Sequence, residues 1–401
     1  MAAQAAPVPA SPLLTMAIKL CTVPYMKRTI SVKLLHAAEQ AQAFRDLADT
    51  FSAACNVVVS YARDHRCWNR VALHHLAYYS VREAFPQLGS QMACNAIHKV
   101  ASAYKTLQAN KGIKKGEPVP LIQFSPKSVH FDKRTYSTKE DKLSLFTLNG
   151  RVIVPFIMGK HQQNLFNQGS ATEAELICKK GQWFFNLVLD VPDPTPVSGS
   201  KVMGIDVGEN NIAATSSGRV FDGGKLRYDR DKYLSHRRRL QSNGSQSAKQ
   251  RLRKISGKER RHVAHVNHCI SKAVVTEAVS CGASEIRLED LTRIRDRIKA
   301  GNRVRARLHR WAWRQLQDFV AYKAQGVGIT VNYVNPAYTS QTCSVCHELG
   351  KRVKNHFICS HCGNVAHSDI NGARNIAAFA EVLTPARGAV NRPNVHSGSP
   401  A

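Results

Sequence analysis

Cys343-Ser-Val-Cys346 and Cys359-Ser-His-Cys362 decide how this chain is read. Twelve residues, 347–358, separate the two pairs, and Asp369 stands seven residues beyond the last cysteine. A Cys-x-x-Cys turn aims two thiolates at one point. Two such turns joined by a short loop make a zinc ribbon, with four soft sulfur ligands arranged as Zn²⁺ prefers them. A shell filled by four cysteines has no open position, so the expected ion is structural and not catalytic. Disulfides or free thiols are the bland alternative, and the doubled spacing argues against them. His347, His361 and His367 are near enough to replace a cysteine, but four cysteines already complete the shell. An acid placed directly after the ribbon suggests a metal-holding carboxylate, fixed in place by a second metal.

The rest of the composition bounds the partner. Among 401 residues, 57 Lys+Arg face 28 Asp+Glu, a net charge of +29. A hydrophobic fraction of 43% is that of a folding chain, so the charge belongs to a folded surface and calls for a polyanion, nucleic acid by default. A basic ribosomal protein fits the charge but is usually far shorter. Seven of the eleven cysteines (Cys21, Cys55, Cys67, Cys94, Cys178, Cys269 and Cys281) have no framework spacing, which points to a reducing compartment, the cytoplasm. The opening lacks the basic start of a signal peptide, and no run reaches the ~18 apolar residues of a membrane span.

In chain order, 1–26 is Ala/Pro-rich and reads as a disordered leader. Residues 28–35 alternate as a strand, and from 37 the period becomes helical, with Phe44, Leu47, Ala48, Phe51, Cys55 and Val58 on one face. Helical patterns continue through 71–83 and 90–108. Between their apolar positions lie Arg63, His65, Arg66, Trp68, Arg70, His74, His75, Tyr78, Tyr79, Arg82, Lys99 and Lys105, which can contact phosphates and bases or pack as core. After a basic linker at 111–120, alternating strands at 128–131, 143–148, 151–156, 173–178 and 183–190 make a small antiparallel domain of barrel type. Asn149-Gly150 is its hairpin signal. A Pro-rich linker follows, and a second unit begins at Lys201. The stretch 225–261 carries fourteen Lys/Arg against Asp229, Asp231 and Glu259. Arg237, Arg238, Arg239, Lys249, Arg251, Arg253 and Lys254 are its candidates for nucleic-acid contact. A helix is expected over 263–279, a strand over 285–291 and a further helix over 303–325. On that last helix Arg303, Arg307, Arg310 and Arg314 form a row opposite an apolar face. The tail from 385 reads as disordered.

Three acids stand out. Asp206 lies inside an apolar strand, where burial is costly unless the group is paired or metal-bound. Glu289 ends a second strand, with Asp290 as competitor, since alternation lets only one of the two face the same way. Asp369 opens a helix. Strand, strand, helix is how an RNase H-type core gathers carboxylates around two Mg²⁺ ions for phosphodiester hydrolysis.

The stretches GIDVGENN (204–211), LEDL (288–291), NPAYTSQTCSVC (335–346) and CGNVAHSDINGARNIA (362–377) resemble the TnpB nucleases of IS200/IS605-type transposons (OrfB proteins), relatives of type V CRISPR effectors. The likeness is close from 201 to about 379 and only architectural before that. It implies an α+β multidomain fold. A RuvC-like nuclease domain would span 201–337 and 367–384, with a zinc ribbon at 338–366. A β-barrel wedge domain at 27–36 and 117–192 would be interrupted by a helical recognition domain at 37–116. It implies Asp206, Glu289 and Asp369 as catalytic acids holding Mg²⁺, prefers Glu289 to Asp290, and leaves Cys343, Cys346, Cys359 and Cys362 for one Zn²⁺. The implied partners are a guide RNA, from the transposon end or a CRISPR-like locus, and a double-stranded DNA target cut beside a short adjacent motif, in a prokaryotic, nucleoid-associated setting. The chain departs from the family in its Ala/Pro leader and in Gly372, where alanine is usual. A compact CRISPR effector, a guide-directed repressor that does not cut, an unguided resolvase and a strand-transferring transposase are the other readings; retention of all three acids argues against the repressor, the size and the extra N-terminal half against the resolvase, and the family resemblance against strand transfer.

Overall fold

The computed structural model describes residues 25–114, 116–291, 312–335, 339–379 and 382–383. The expected tail at 385–401 and most of the expected leader at 1–26 lie outside them, although Tyr25 and Met26 already belong to the first strand. The chain divides into two compact units between Pro192 and Asp193.

The first unit opens with strand β1 (Tyr25–Leu34) and helices α1 (Ala38–Asp64), α2 (Arg70–Ala84) and α3 (Ser90–Ala109). Strands β2 (Ser128–Asp132), β3 (Tyr136–Lys139), β4 (Lys142–Thr147) and β5 (Gly150–Ile157) follow, then helix α4 (Lys160–Gln168) and strands β6 (Ser170–Lys179) and β7 (Gln182–Pro192). The seven strands run in the order β2-β6-β7-β1-β5-β4-β3. The two edge strands, β2 and β3, are joined by residues 133–135 alone. Four Cα steps reach at most about 14 Å. Seven flat strands would hold their edges about 29 Å apart. The sheet therefore has to curl toward a barrel. The apolar face of α1 is buried as its period predicts, and Phe44 meets Trp183 of β7 edge-on at 5.6 Å.

Turn chemistry departs from the sequence reading at one hairpin. Thr147 pairs with Gly150, so the loop residues are Leu148 and Asn149, and the positive φ (101°) falls on Gly150 as the first residue of β5. The Lys180–Gly181 turn, with φ of 54° and 77°, has the two left-handed residues that an Asn-Gly pair was expected to supply.

The second unit contains β8 (Val202–Asp206), β9 (Asn211–Thr215), β10 (Val220–Asp222), α5 (Gly224–Asn243), α6 (Gln246–Ile255), α7 (Lys258–Ser280) and β11 (Glu285–Glu289). Then come α8 (Trp313–Gln325), β12 (Thr330–Val334), the short ribbon strands β13 (Lys351–Val353), β14 (His356–Ile358) and β15 (Val365–His367), α9 (Ser368–Ala378) and β16 (Val382–Leu383). Helix α7 starts five residues before the apolar pattern does. A six-stranded sheet runs β10-β9-β8-β11-β12-β16, with β8, β11 and β12 parallel. Alternation splits its central strands between two layers. Met203, Ile205, Ile286 and Leu288 join the apolar cluster that includes Val274 of α7 and Leu316 and Val320 of α8. On the other face, Gly204 and Arg287 meet α9.

That second contact is unusually tight. A Cβ on Gly204 would lie 2.0 Å from the Ala373 carbonyl and 2.5 Å from the Ala377 nitrogen, so backbone rests on backbone. Arg287 donates to the carbonyls of Ala377 and Phe379 at 2.8 and 2.6 Å, satisfying the end of the same helix. Gly204→Ala is expected to force α9 off the sheet and to cost about 3 kcal/mol, the upper range for overpacking. Thermal unfolding of the variant checks this, and an unchanged midpoint would refute the contact.

Candidate metal centres

The ribbon's two turns have one geometry. The N–H of His347 donates to the Cys343 carbonyl at 3.0 Å, and that of Gly363 to the Cys359 carbonyl at 3.1 Å. The N–H of Cys343 donates to the Glu348 carbonyl, and that of Cys359 to the Asn364 carbonyl. The residue after each second cysteine is left-handed, His347 at φ 63° and Gly363 at 74°. His347 is thus a turn residue, the counterpart of a glycine. The four Sγ atoms all lie within 4.8 Å of one another, with 3.7 Å between Cys343 and Cys362 and 3.5 Å between Cys346 and Cys359. Burial pushes the Cys343 thiol up, but the N–H groups of Cys346 and Val345 and the Asn364 amide outweigh it and bring it down. The N–H of Cys362 lowers Cys359 likewise, while Cys346 rises: the N–H of Glu348 is overcome by burial and three neighbouring sulfurs. Four thiols this close cannot all ionise without a cation between them, so the donor set fits a structural Zn²⁺.

The three expected acids sit together at one end of the six-stranded sheet. Leu288 pairs with Ile205 across parallel strands, so the next residues, Glu289 and Asp206, are neighbours at the carboxyl ends. Helix α9 brings Asp369 to the same place in its first turn. Asp369, 7% exposed, accepts from Asn211 Nδ2 on one oxygen and from Arg352 on the other, both at 2.7 Å. Thr339 Oγ1 donates to Glu289 at 2.6 Å. Burial, then the charges of Glu289 and Asp369, push the Asp206 carboxyl up to about 8 against the pull of Arg352. Burial also raises Glu289, opposed by the Thr339 hydrogen bond. The charge of Asp290 acts on Tyr333, whose hydroxyl is raised by burial and then, against Arg314, by Asp318 and Asp290. Among the described residues only the four cysteines form a group whose ligand atoms all lie within 4.8 Å of one another. Buried oxygen donors that repel one another fit hard divalent cations.

Asn371 and Asn375, which the sequence reading passed over, and His367, weighed there only as a zinc ligand, join the two centres. Asn371 Nδ2 donates to the Thr342 carbonyl at 2.7 Å, and its Oδ1 accepts from Ser344 N–H at 2.9 Å. Asn375, one turn on, donates to the carbonyls of Thr339 and Thr342 at 2.8 and 2.6 Å. His367 caps α9, its Nδ1 accepting from Asp369 N–H at 3.3 Å. The signal for the two asparagines was their four-residue spacing behind Asp369 on a helix of small residues. Arg352 and Asn211 gave no local sign.

The expected nucleic-acid residues divide. Arg237, Arg238, Arg239, Lys249, Arg251, Arg253 and Lys254 are all exposed on α5 and α6, which bury only Leu226 and Ala248. Arg314 is exposed and pairs with Asp318 at 3.1 Å. Arg303, Arg307 and Arg310 lie outside the described residues. In the first unit, Arg63 and Arg66 donate to carbonyls of the linker, Trp68 to Gln108, and Lys99 to Ser128 and Glu175, so these four are structural. Among the described residues no helix is long and apolar enough to cross a membrane.

Two outcomes follow from this geometry. A carboxyl raised from 3.8 to about 8 keeps its proton in the fold where the unfolded chain has lost it. Stability of the magnesium-free protein therefore falls as pH rises from about 4 to about 8. Asp206→Asn should flatten that slope in thermal unfolding from pH 5 to 9; parallel curves for both proteins would refute the burial of a charged Asp206. Cys346→Ser should reduce zinc from one ion per chain to near zero and lower stability, read by mass spectrometry and calorimetry. Zinc-free wild-type protein of unchanged stability would remove the ion from the fold.

The chain was compared with known proteins. Residues 186–295 match a family model described as a probable transposase (OrfB_IS605), and residues 313–376 match the Cas12f1-like TNB domain. The chain is 33% identical to the CRISPR-associated endodeoxyribonuclease Cas12f1 of Sulfoacidibacillus thermotolerans over half of each protein. It is 31% identical to the putative RNA-guided DNA endonuclease InsQ of Escherichia coli, over 51% of this chain and 55% of that one. The fold is similar to that of Cas12f1 in a Cas12f1–sgRNA–target DNA complex, with a TM-score of 0.61 at 17% identity, covering 86% of this chain and 84% of the other. The TnpB-like protein MJ0751 of Methanocaldococcus jannaschii is 30% identical over 255 residues, which is 59% of this chain and 90% of that protein. With so much of a relative matched at that identity, the chain belongs to the TnpB-like proteins.

Proposed function

We propose that this protein is an RNA-guided DNA endonuclease of the TnpB type. The observation that carries the proposal is the meeting of Asp206, Glu289 and Asp369 at the carboxyl ends of β8 and β11 and the amino end of α9. The second unit is read as an RNase H-like (RuvC) nuclease domain with an attached zinc ribbon. The first is read as a barrel wedge domain carrying an inserted helical recognition domain. The three acids would hold two Mg²⁺ ions, which when bound supply an activated water and neutralise charge at the leaving 3′ oxygen. Asn211 and Arg352 orient Asp369, and Thr339 orients Glu289, so that each carboxylate is set before substrate arrives. The seven exposed cations of α5 and α6 form a surface of one sign that suits RNA and DNA backbones. The named activities of InsQ and Cas12f1 support the same reading.

A guide-directed repressor that binds without cutting is the second reading, and a compact type V effector is the third. The retained acids disfavour the repressor. Asp206→Ala, Glu289→Ala and Asp369→Ala are each expected to lower target cleavage by at least a thousandfold in Mg²⁺ while guide and target binding stay within a few-fold, about 1 kcal/mol. Cleavage assays and gel shifts on guide-loaded protein check both, and sequencing the RNA that copurifies from the native locus separates a transposon-end transcript from a CRISPR transcript. Wild-type protein that binds guide and target without cutting would favour the repressor.

A further inference from the structure

The peptide that joins Glu289 to Asp290 is gripped on both sides. Its carbonyl, that of Glu289, accepts from Gln317 Nε2 of α8 at 2.7 Å. Its N–H, that of Asp290, donates to the Val334 carbonyl of β12 at 2.8 Å. A peptide unit is a stiff plane, so partners on both sides leave it one orientation. That orientation sets ψ of Glu289 and φ of Asp290, at the point where β11 ends. The register with β8 places Glu289 beside Asp206, and the peptide plane sets how the acid is aimed from there. Gln317 is only 1% exposed, and it is the one amide among the residues that α8 buries, beside Trp313, Leu316, Val320 and Ala324. An amide in so dry a place is costly unless it is hydrogen-bonded. Its bond goes to the backbone of a candidate cation ligand and not to a neighbouring turn of its own helix.

We propose that Gln317 is a positioning residue for Glu289: its amide fixes the peptide plane that follows the acid, and so holds the carboxylate on the site shared with Asp206 and Asp369. The inference rests on reading the acids as cation ligands. Glu289 is then held twice, at the carboxylate by Thr339 Oγ1 at 2.6 Å and at the backbone by Gln317. Thr339 alone leaves the root of a long side chain unset. Mg²⁺ demands near-ideal octahedral geometry, so an oxygen ligand on a loosened root is penalised. The alternative is that Gln317 serves only the packing of α8 on β11, to which Leu316 and Val320 also contribute. Packing alone gives Gln317 no more influence on a cation than its apolar neighbours have.

The test uses full-length wild type, Gln317→Met, Val320→Ala and Glu289→Gln, each titrated with MgCl₂ by calorimetry at a temperature where circular dichroism shows a native fold. Gln317→Met keeps the length of the side chain and loses the donor. Val320→Ala removes apolar volume from the same helix and no hydrogen bond. Wild type should bind Mg²⁺, and Glu289→Gln should bind it far more weakly. Gln317→Met should need about tenfold more Mg²⁺ than wild type, the lower range for a residue that supports a ligand. Val320→Ala should keep the wild-type midpoint, although both variants unfold at lower temperature. Equal or tighter binding by Gln317→Met, or an equal loss in Val320→Ala, would overturn the proposal while leaving the cation reading intact. If Gln317→Met does not fold, Gln317→Asn, whose amide is one methylene short of the carbonyl, is judged by the same criterion; failure of both to fold would overturn the positioning role in favour of packing. Wild type that binds no Mg²⁺, or Glu289→Gln that binds it equally well, would instead overturn the cation reading and this proposal with it.

Discussion

Everything at the candidate centre depends on how closely α9 approaches β8. The helix lies on the strand with backbone against Gly204, and this depth brings Asp369 level with the ends of β8 and β11. Arg287 secures the far end of the helix through two carbonyls. Were α9 farther out, three acids would become separate, solvated groups with no mutual repulsion. Instead they are desolvated together, and the Asp206 carboxyl is driven up to about 8. A fold that confines like charges in this way is under electrostatic load until a cation arrives.

The ribbon acts on the same helix from the other direction. Its four cysteines organise a small sheet that has little core of its own beyond Phe357. The loop that enters the ribbon is tied to α9 by Asn371 and Asn375, and Arg352 of β13 reaches Asp369 directly. A change in the ribbon is thus transmitted to an acid that belongs to no zinc shell. Sulfur ligands in the ribbon and oxygen ligands at the carboxyl end of the sheet suit two different metals in one unit.

The two units bring different things to the proposed activity. The second carries the acids, the ribbon and a helical arm, α5 and α6, that buries almost nothing and exposes cations of one sign. The first contributes a curled sheet whose edges are tied by three residues, with Arg63, Arg66 and Lys99 spent on internal carbonyls. Sequence composition treats both sets of cations alike. The structure separates those that fasten a linker from those that face water.

The sequence by itself determined what is local or periodic. Cysteine spacing specified the ribbon, since a Cys-x-x-Cys turn needs only adjacent residues. Alternation and helical period specified most strands and the apolar face of α1. The place of an acid in an apolar strand, at a strand end and just after the ribbon singled out Asp206, Glu289 and Asp369, and motif likeness preferred Glu289 to Asp290. Turn detail was misread at Asn149 and Gly150, because a hairpin's register depends on its partner strand as well as its turn residues. Only the tertiary structure decided what depends on residues far apart in the chain. Asn211 and Arg352 converge on Asp369 across 158 and 17 residues, and Thr339 reaches Glu289 across 50. The side toward which Glu289 turns is likewise decided by the parallel register with β8. Such pairings have no period and no local propensity; they exist only because strand register and the close seat of α9 place the groups within hydrogen-bond reach.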